Sequence, residues 1–81
     1  MSDLAVKVFT IELERETGAL ERVLSVARRR NLALESLTVI ADGPSVYRIR
    51  METGCVPAEA ALALAQLKAL VDVKRAMMED Q

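Results

Sequence analysis

Leu4-Ala5-Val6-Lys7-Val8-Phe9-Thr10-Ile11-Glu12-Leu13 runs without a linker into Glu14-Arg15-Glu16-Thr17-Gly18-Ala19-Leu20, and the change of period between the two stretches decides the fold. In the first, β-branched and aromatic residues put Val6 and Val8 on one face of an extended chain and Phe9, Ile11 and Leu13 on the other, the pattern of a strand that is apolar on both sides. The charged segment from Glu14 to Thr17 breaks that strand. Thr17 has the side chain of an N-cap, and Gly18 has the backbone freedom for a tight turn.

A helix is expected to follow at once. Leu20, Val23, Leu24 and Ala27 recur at i, i+3, i+4 and i+7, while Glu21, Arg22, Ser25, Arg28 and Arg29 fall mostly outside that stripe. The helix ends near Asn31, with Arg28-Arg29-Arg30 in its last turn. There, cations interact favourably with the helix dipole and can reach unpaired carbonyls.

Leu32 to Ala41 reads as a second strand, with Leu37, Val39 and Ala41 on one face and Thr38 and Ile40 on the other. Asp42-Gly43-Pro44-Ser45 is a turn signal. From Val46 to Thr53 the alternation is clean: Tyr47, Ile49 and Met51 share one face, Arg48, Arg50 and Glu52 the other. These two strands are expected to form an antiparallel hairpin. Pro57 then supplies the φ angle of a helix start, and a second helix is predicted from about Ala58 to Leu70 with Ala60, Ala63, Leu64, Leu67 and Val71 as its inner stripe. Val71 to Met78 reads as a last strand, followed by a frayed acidic tail at Glu79-Asp80-Gln81.

The order β, α, β, β, α, β is that of the ferredoxin-like α+β sandwich, with two helices on one face of a four-stranded antiparallel sheet. One domain is expected over residues 1–81, with a core from about 4 to 78. Val6, Val8, Thr38 and Ile40 fall on the face that no helix covers, so a partner subunit is expected there, through side-by-side or face-to-face dimerisation. Energetics point the same way. A chain of 81 residues with 52% apolar but only 2% aromatic residues builds a thin core, and oligomerisation is an ordinary way to add stability to a small domain.

Composition excludes several classes of function. Eleven basic and twelve acidic residues leave a net charge of −1, with no field to hold nucleic acid or an anionic membrane. The sequence contains no histidine, which removes the commonest general base and metal ligand from its repertoire. Cys55 is the only cysteine, so neither an internal disulfide nor a cysteine-cluster metal site can form, and a buried thiol is the plainer reading of it than a nucleophile. No catalytic residue and no metal site is expected. Met1 to Leu4 shows no basic region followed by an apolar run, so a soluble cytoplasmic protein is expected.

The strongest site-level signal is the turn from Glu14 to Leu20, where backbone amides at a helix N-terminus can hold a carboxylate; the plainer alternative is that Thr17 and Gly18 merely cap and turn the chain. The stretches Glu14-Arg15-Glu16-Thr17-Gly18-Ala19-Leu20-Glu21-Arg22-Val23-Leu24, Leu34-Glu35-Ser36-Leu37-Thr38-Val39 and Gln66-Leu67-Lys68-Ala69-Leu70-Val71-Asp72-Val73-Lys74-Arg75 resemble the ACT-domain regulatory (small) subunits of acetolactate (acetohydroxyacid) synthase, most of all the short isozyme II form. The resemblance implies a non-catalytic subunit that binds and activates the large catalytic subunit. Thiamine diphosphate, Mg²⁺ and FAD would belong to that partner and not to this chain.

In the valine-responsive relatives the effector lies between two ACT domains, near the glycine turn after strand one and the start of strand two. That makes Arg15, Thr17, Gly18, Ala19, Leu20 and Ala33 the effector-binding candidates for a branched-chain amino acid. The family's pocket carries asparagines where this sequence has Arg15 and Ala33, so weak or absent valine feedback is expected. Candidate contacts to the catalytic partner are Arg22, Arg28, Arg29, Arg30, Arg48 and Arg50. The alternatives are a free-standing ACT module that regulates another protein and, with less support, an RNA-recognition domain, a metal chaperone or a small enzyme. For the last three, the stacking aromatics, the Cys-x-x-Cys pair and a pocket-forming constellation are missing from the sequence.

Overall fold

The computed structural model describes residues 4–81. The expected order is present: β1 (Ala5–Glu14), α1 (Ala19–Arg29), β2 (Ala33–Asp42), β3 (Val46–Cys55), α2 (Pro57–Ala69) and β4 (Val73–Asp80). The four strands form one antiparallel sheet in the order β2-β3-β1-β4.

Phe9, Ile11 and Leu13 of β1 pair with Met51, Ile49 and Tyr47 of β3. All but the half-buried Tyr47 are closed to solvent, together with Val23, Val26 and Ala27 of α1 and Ala60, Ala63 and Leu67 of α2. This is the helix-covered face, as the alternation predicts. Burying each large aliphatic side chain here stabilises the fold by about 1.5–3 kcal/mol. Small residues at the helix positions let both backbones lie close to the sheet.

Several boundaries differ from the sequence reading, each for a local reason. Gly18, not Thr17, is the N-cap of α1: its φ of 79° makes the cap a backbone conformation, and Thr17 is exposed with no capping bond. The inner stripe of α1 is Ala19, Val23, Val26 and Ala27, so Leu20 and Leu24 lie at its borders. The helix ends at Arg29, because Asn31 turns left-handed at φ 57°. The amide of Asn31 donates to the Arg28 carbonyl and that of Leu32 to the Ala27 carbonyl, at 3.1 and 2.9 Å, a Schellman closure. Two terminal carbonyls are therefore satisfied by the backbone, and the three arginines are not needed to cap them.

At the other end of the molecule, Val71 is 89% exposed in the turn after α2 and is no part of its stripe. β4 starts at Val73 and β3 runs on to Cys55. The acidic tail is not frayed. Asp80 pairs with Lys7 across β4 and β1, and the Gln81 amide donates to the Val6 carbonyl at 3.2 Å.

The helix-free face departs from expectation at Val8, which is only 7% exposed. It lies between Glu52 and Glu79 on the neighbouring strands, whose long side chains can cover it. Val6, Ile40 and Met77 do remain open on this face. β2 is the most exposed element of all. It is an edge strand of ten residues with none fully buried, and Leu34, Leu37 and Ile40 are 44%, 40% and 58% exposed.

Candidate functional site

The turn between β1 and α1 is held by its own backbone and by one arginine. The amide of Glu16 donates to the Glu14 carbonyl, that of Ala19 to Glu16, and that of Arg22 to Gly18, all at 2.9–3.0 Å. Ala19 thus spends its amide inside the turn, and its side chain is core. The amides of Leu20 and Glu21 find no backbone acceptor among the described residues.

Arg22 folds back over this turn. Its guanidinium donates to the Thr17 carbonyl at 3.3 Å and to Asp72 from both Nε, at 3.0 Å, and Nη2. Asp72 is 8% exposed, and its carbonyl accepts the Glu14 amide at 2.8 Å. The β1–α1 turn and the α2–β4 turn are in this way locked together at one end of the sheet.

Arg15 turns to the β2–β3 hairpin. It stacks over the Tyr47 ring at 4.8 Å and donates from Nη1 to the Gly43 carbonyl at 3.2 Å, a cation–π contact with a hydrogen bond beside it. Arg15, Thr17, Gly18, Ala19 and Leu20 are thus gathered at one end of the molecule. Ala33 is not among them. It pairs with Gly54, which is level with Val6, and this places it at the opposite end of the sheet, about 25 Å away along the strands.

The six arginines named as partner contacts divide by pairing. Arg22 is held by Asp72, Arg30 by Glu59 at 3.6 Å, Arg48 by Asp42 at 2.8 Å and Arg50 by Glu52 at 3.2 Å. Arg28 and Arg29 make no ion pair among the described residues. With Arg22, Ser25 and Leu70 they line an open cavity of about 390 Å³ between α1 and the end of α2.

The proton affinity of Glu52 is displaced. The Ser36 hydroxyl donates to it at 2.6 Å; that bond, one from Gln81 and the Arg50 charge hold its pKa below the ordinary glutamate range. Cys55 is buried, and its sulfur lies 3.7 Å from the Thr53 hydroxyl. No metal-binding group of His, Cys, Asp and Glu occurs among the described residues.

A family model for the ACT domain matches residues 15–76. The chain belongs to the ACT domain family. The match begins at the arginine that leads into the glycine turn and takes in α1, β2, β3, α2 and the first part of β4. Membership in this family points to a small-molecule-binding regulatory role.

Among solved structures, the crystal structure of the ACT domain from GTP pyrophosphokinase of Chlorobium tepidum superposes with a TM-score of 0.82 at 9% identity, over 94% of this chain and 99% of that one. A homoserine dehydrogenase from Thiobacillus denitrificans gives 0.77 at 14% identity, over 95% of this chain and 17% of that one. The ligand-free regulatory subunit of aspartate kinase from Thermus thermophilus gives 0.69 at 19% identity, over 96% and 52%. At such identities the likeness concerns the fold. No curated protein sequence matches the chain. No helix of the described residues is long and apolar enough to cross a membrane.

The sequence reading did not single out Asp72 and the open edge of β2. A signal for each was present: the aspartate stands between two valines, and β2 is apolar on both faces.

Proposed function

We propose that this ACT domain is a cytoplasmic, non-catalytic regulatory subunit that binds and activates the thiamine-diphosphate-dependent large subunit of acetolactate synthase in branched-chain amino-acid biosynthesis. One observation carries the reading furthest. The two stretches in which the sequence most closely resembles the small subunits of that enzyme, Glu35 to Val39 and Gln66 to Val73, form the open edge strand β2 and the corner where Asp72 holds Arg22. The resemblance therefore falls on an unpaired edge and on the turn beside the glycine loop, and not only on core positions that any ACT domain must fill.

Self-association through β2 completes this reading. An edge strand of this length with apolar side chains on both faces is a template for pairing with another strand. Antiparallel pairing of two β2 strands about a two-fold axis brings the Ala33 end of one copy to the Asp42 end of the other, the end that carries the glycine turn. The effector candidates, about 25 Å apart in one chain, would then meet across the interface.

Valine feedback is weak or absent in this reading, because Arg15 is engaged by Tyr47 and Gly43 and Ala33 has no polar side chain to offer. Arg28 and Arg29, exposed and without ion-pair partners among the described residues, are the arginines free to meet acidic groups of the catalytic partner.

The test is to add the purified chain to acetolactate synthase large subunits and measure acetolactate formation. A severalfold rise with a cognate partner is expected. No rise with any of them overturns the assignment and leaves the chain as an ACT module that regulates a different protein.

A further inference from the structure

The helix-free face of the sheet is ordered by charge. The strand register places three rows across it. Ile40, Arg48, Glu12 and Arg75 form one row; Thr38, Arg50, Thr10 and Met77 form the middle row; Ser36, Glu52, Val8 and Glu79 form the third. The first row carries two arginines and one glutamate, and the third carries two glutamates and no cation. Thr10, Glu12, Arg48, Arg75 and Met77 enclose a depression of about 150 Å³ on this face. Arg75 and Glu79 are both exposed and make no ion pair among the described residues.

We propose that this face binds the same face of a second copy, about a two-fold axis lying along the middle row. This interface goes beyond the β2 edge considered above and uses different residues. The axis sets the first row of one copy over the third row of the other, so that Arg75 meets the second copy's glutamate at position 79, while Arg48, which Asp42 already holds, comes over that at position 52. Both pairs occur twice.

The alternative two-fold axis, parallel to the strands, sets each row over its own equivalent. It opposes Arg48 to Glu12 but Glu79 to Ser36 and Arg75 to Ile40, which leaves the two ions that have no ion pair within one copy without a partner. The charge pattern therefore selects between the two ways of stacking the sheets. Arg50 meets its own equivalent near the axis, and its charge is already balanced by Glu52 at 3.2 Å.

Met77, Ile40 and Val6, which the fold leaves open, lose solvent in the same contact. Four strands of about nine residues present roughly 600 Å² per copy. A standard interface has about 800 Å², so the association depends on protein concentration and on salt.

The test uses the full chain carrying Thr10→Cys, with a short bismaleimide as cross-linker; Cys55 is buried and does not compete. A parallel Leu37→Cys protein reports on β2 pairing. Cross-linking at Thr10 is expected at low salt. Arg75→Glu, or Glu79→Arg, is expected to lower it about tenfold by turning two attractions into repulsions, and combining the two reversals is expected to restore it. Both positions are exposed, and a far-ultraviolet spectrum confirms that each variant is folded. Absence of cross-linking at Thr10, or failure of the double reversal to restore it, overturns the proposal. Cross-linking at Leu37 alone overturns it while leaving β2 pairing intact, and cross-linking at Thr10 alone does the reverse.

Discussion

Arg22 reaches from the first turn of α1 to Asp72 in the turn after α2, donating from Nε at 3.0 Å to a carboxylate whose side chain is only 11% exposed. The same guanidinium holds the Thr17 carbonyl, and the Asp72 backbone holds Glu14. The ion pair and this backbone bond together tie the corner between β1 and α1 to the turn after α2, some fifty positions away in the sequence.

Arg22→Ala leaves Asp72 nearly buried without its partner. Since Arg22 itself is about half exposed and screened by solvent, the expected loss of stability is about 1–2 kcal/mol, measured by urea unfolding. The glycine turn should also loosen, seen as faster exchange of the hydrogen-bonded amides of Glu14 and Ala19 than in the parent. Unchanged stability would show that the contact is only a surface pair.

Gly18 adopts φ 79° at the N-cap, and a Cβ placed there would stand 3.0 Å from Nη1 of Arg22. The arginine can move, but the backbone angle cannot change without opening the turn. Gly18→Ala is therefore expected to cost about 1–2 kcal/mol, and most of that cost should persist when Arg22→Ala is added. A cost that vanishes in the double variant would assign it to the steric contact instead.

Glu52 has its pKa lowered chiefly by the Ser36 hydroxyl, then by Gln81 and Arg50. A carboxylate with a depressed folded-state pKa contributes stability that is fully present above its unfolded value. That contribution is lost as the pH falls through the folded value. Stability from this group should therefore hold from neutral pH down to the ordinary glutamate range and decline below it. In a carboxyl-carbon NMR titration, Ser36→Ala should move the Glu52 midpoint upward; an unmoved midpoint would remove the hydroxyl as the cause.

Leu37 is 40% exposed on the edge strand β2. A lysine there introduces a charge that a paired edge would have to bury, the device by which natural sheets discourage edge pairing. Leu37→Lys should leave the circular dichroism spectrum and unfolding midpoint of the dilute protein nearly unchanged. In sedimentation equilibrium it should weaken self-association about tenfold or more. Unaltered association would place the contact on another surface.

Helix and strand order was legible because Tyr47, Ile49 and Met51 alternate with Arg48, Arg50 and Glu52, and because α1 sets an apolar stripe against a charged face; α2, apolar nearly all round, was legible from its alanines and from Pro57 at its start. The ends were less legible. Asn31 closes α1 through its backbone angle, and Val71 looks like a helix position until the chain is seen to turn before it. Of the candidate site, the glycine turn was readable from Gly18 alone, but the engagement of Arg15 by Tyr47 depends on the β2–β3 hairpin coming back beside it.

By itself the sequence determined the six elements, the sides on which Phe9, Ile11 and Leu13 are buried, and the lack of histidine chemistry, because local periodicity and composition are properties of the chain. Only the tertiary structure decided that Ala33 lies at the far end of the sheet from Gly18, that Asp72 captures Arg22, and that Arg48 and Arg75 fall in one row of the open face while Glu52 and Glu79 fall in another. Those facts depend on strand order and register, which bring residues tens of positions apart into contact and which no local pattern encodes.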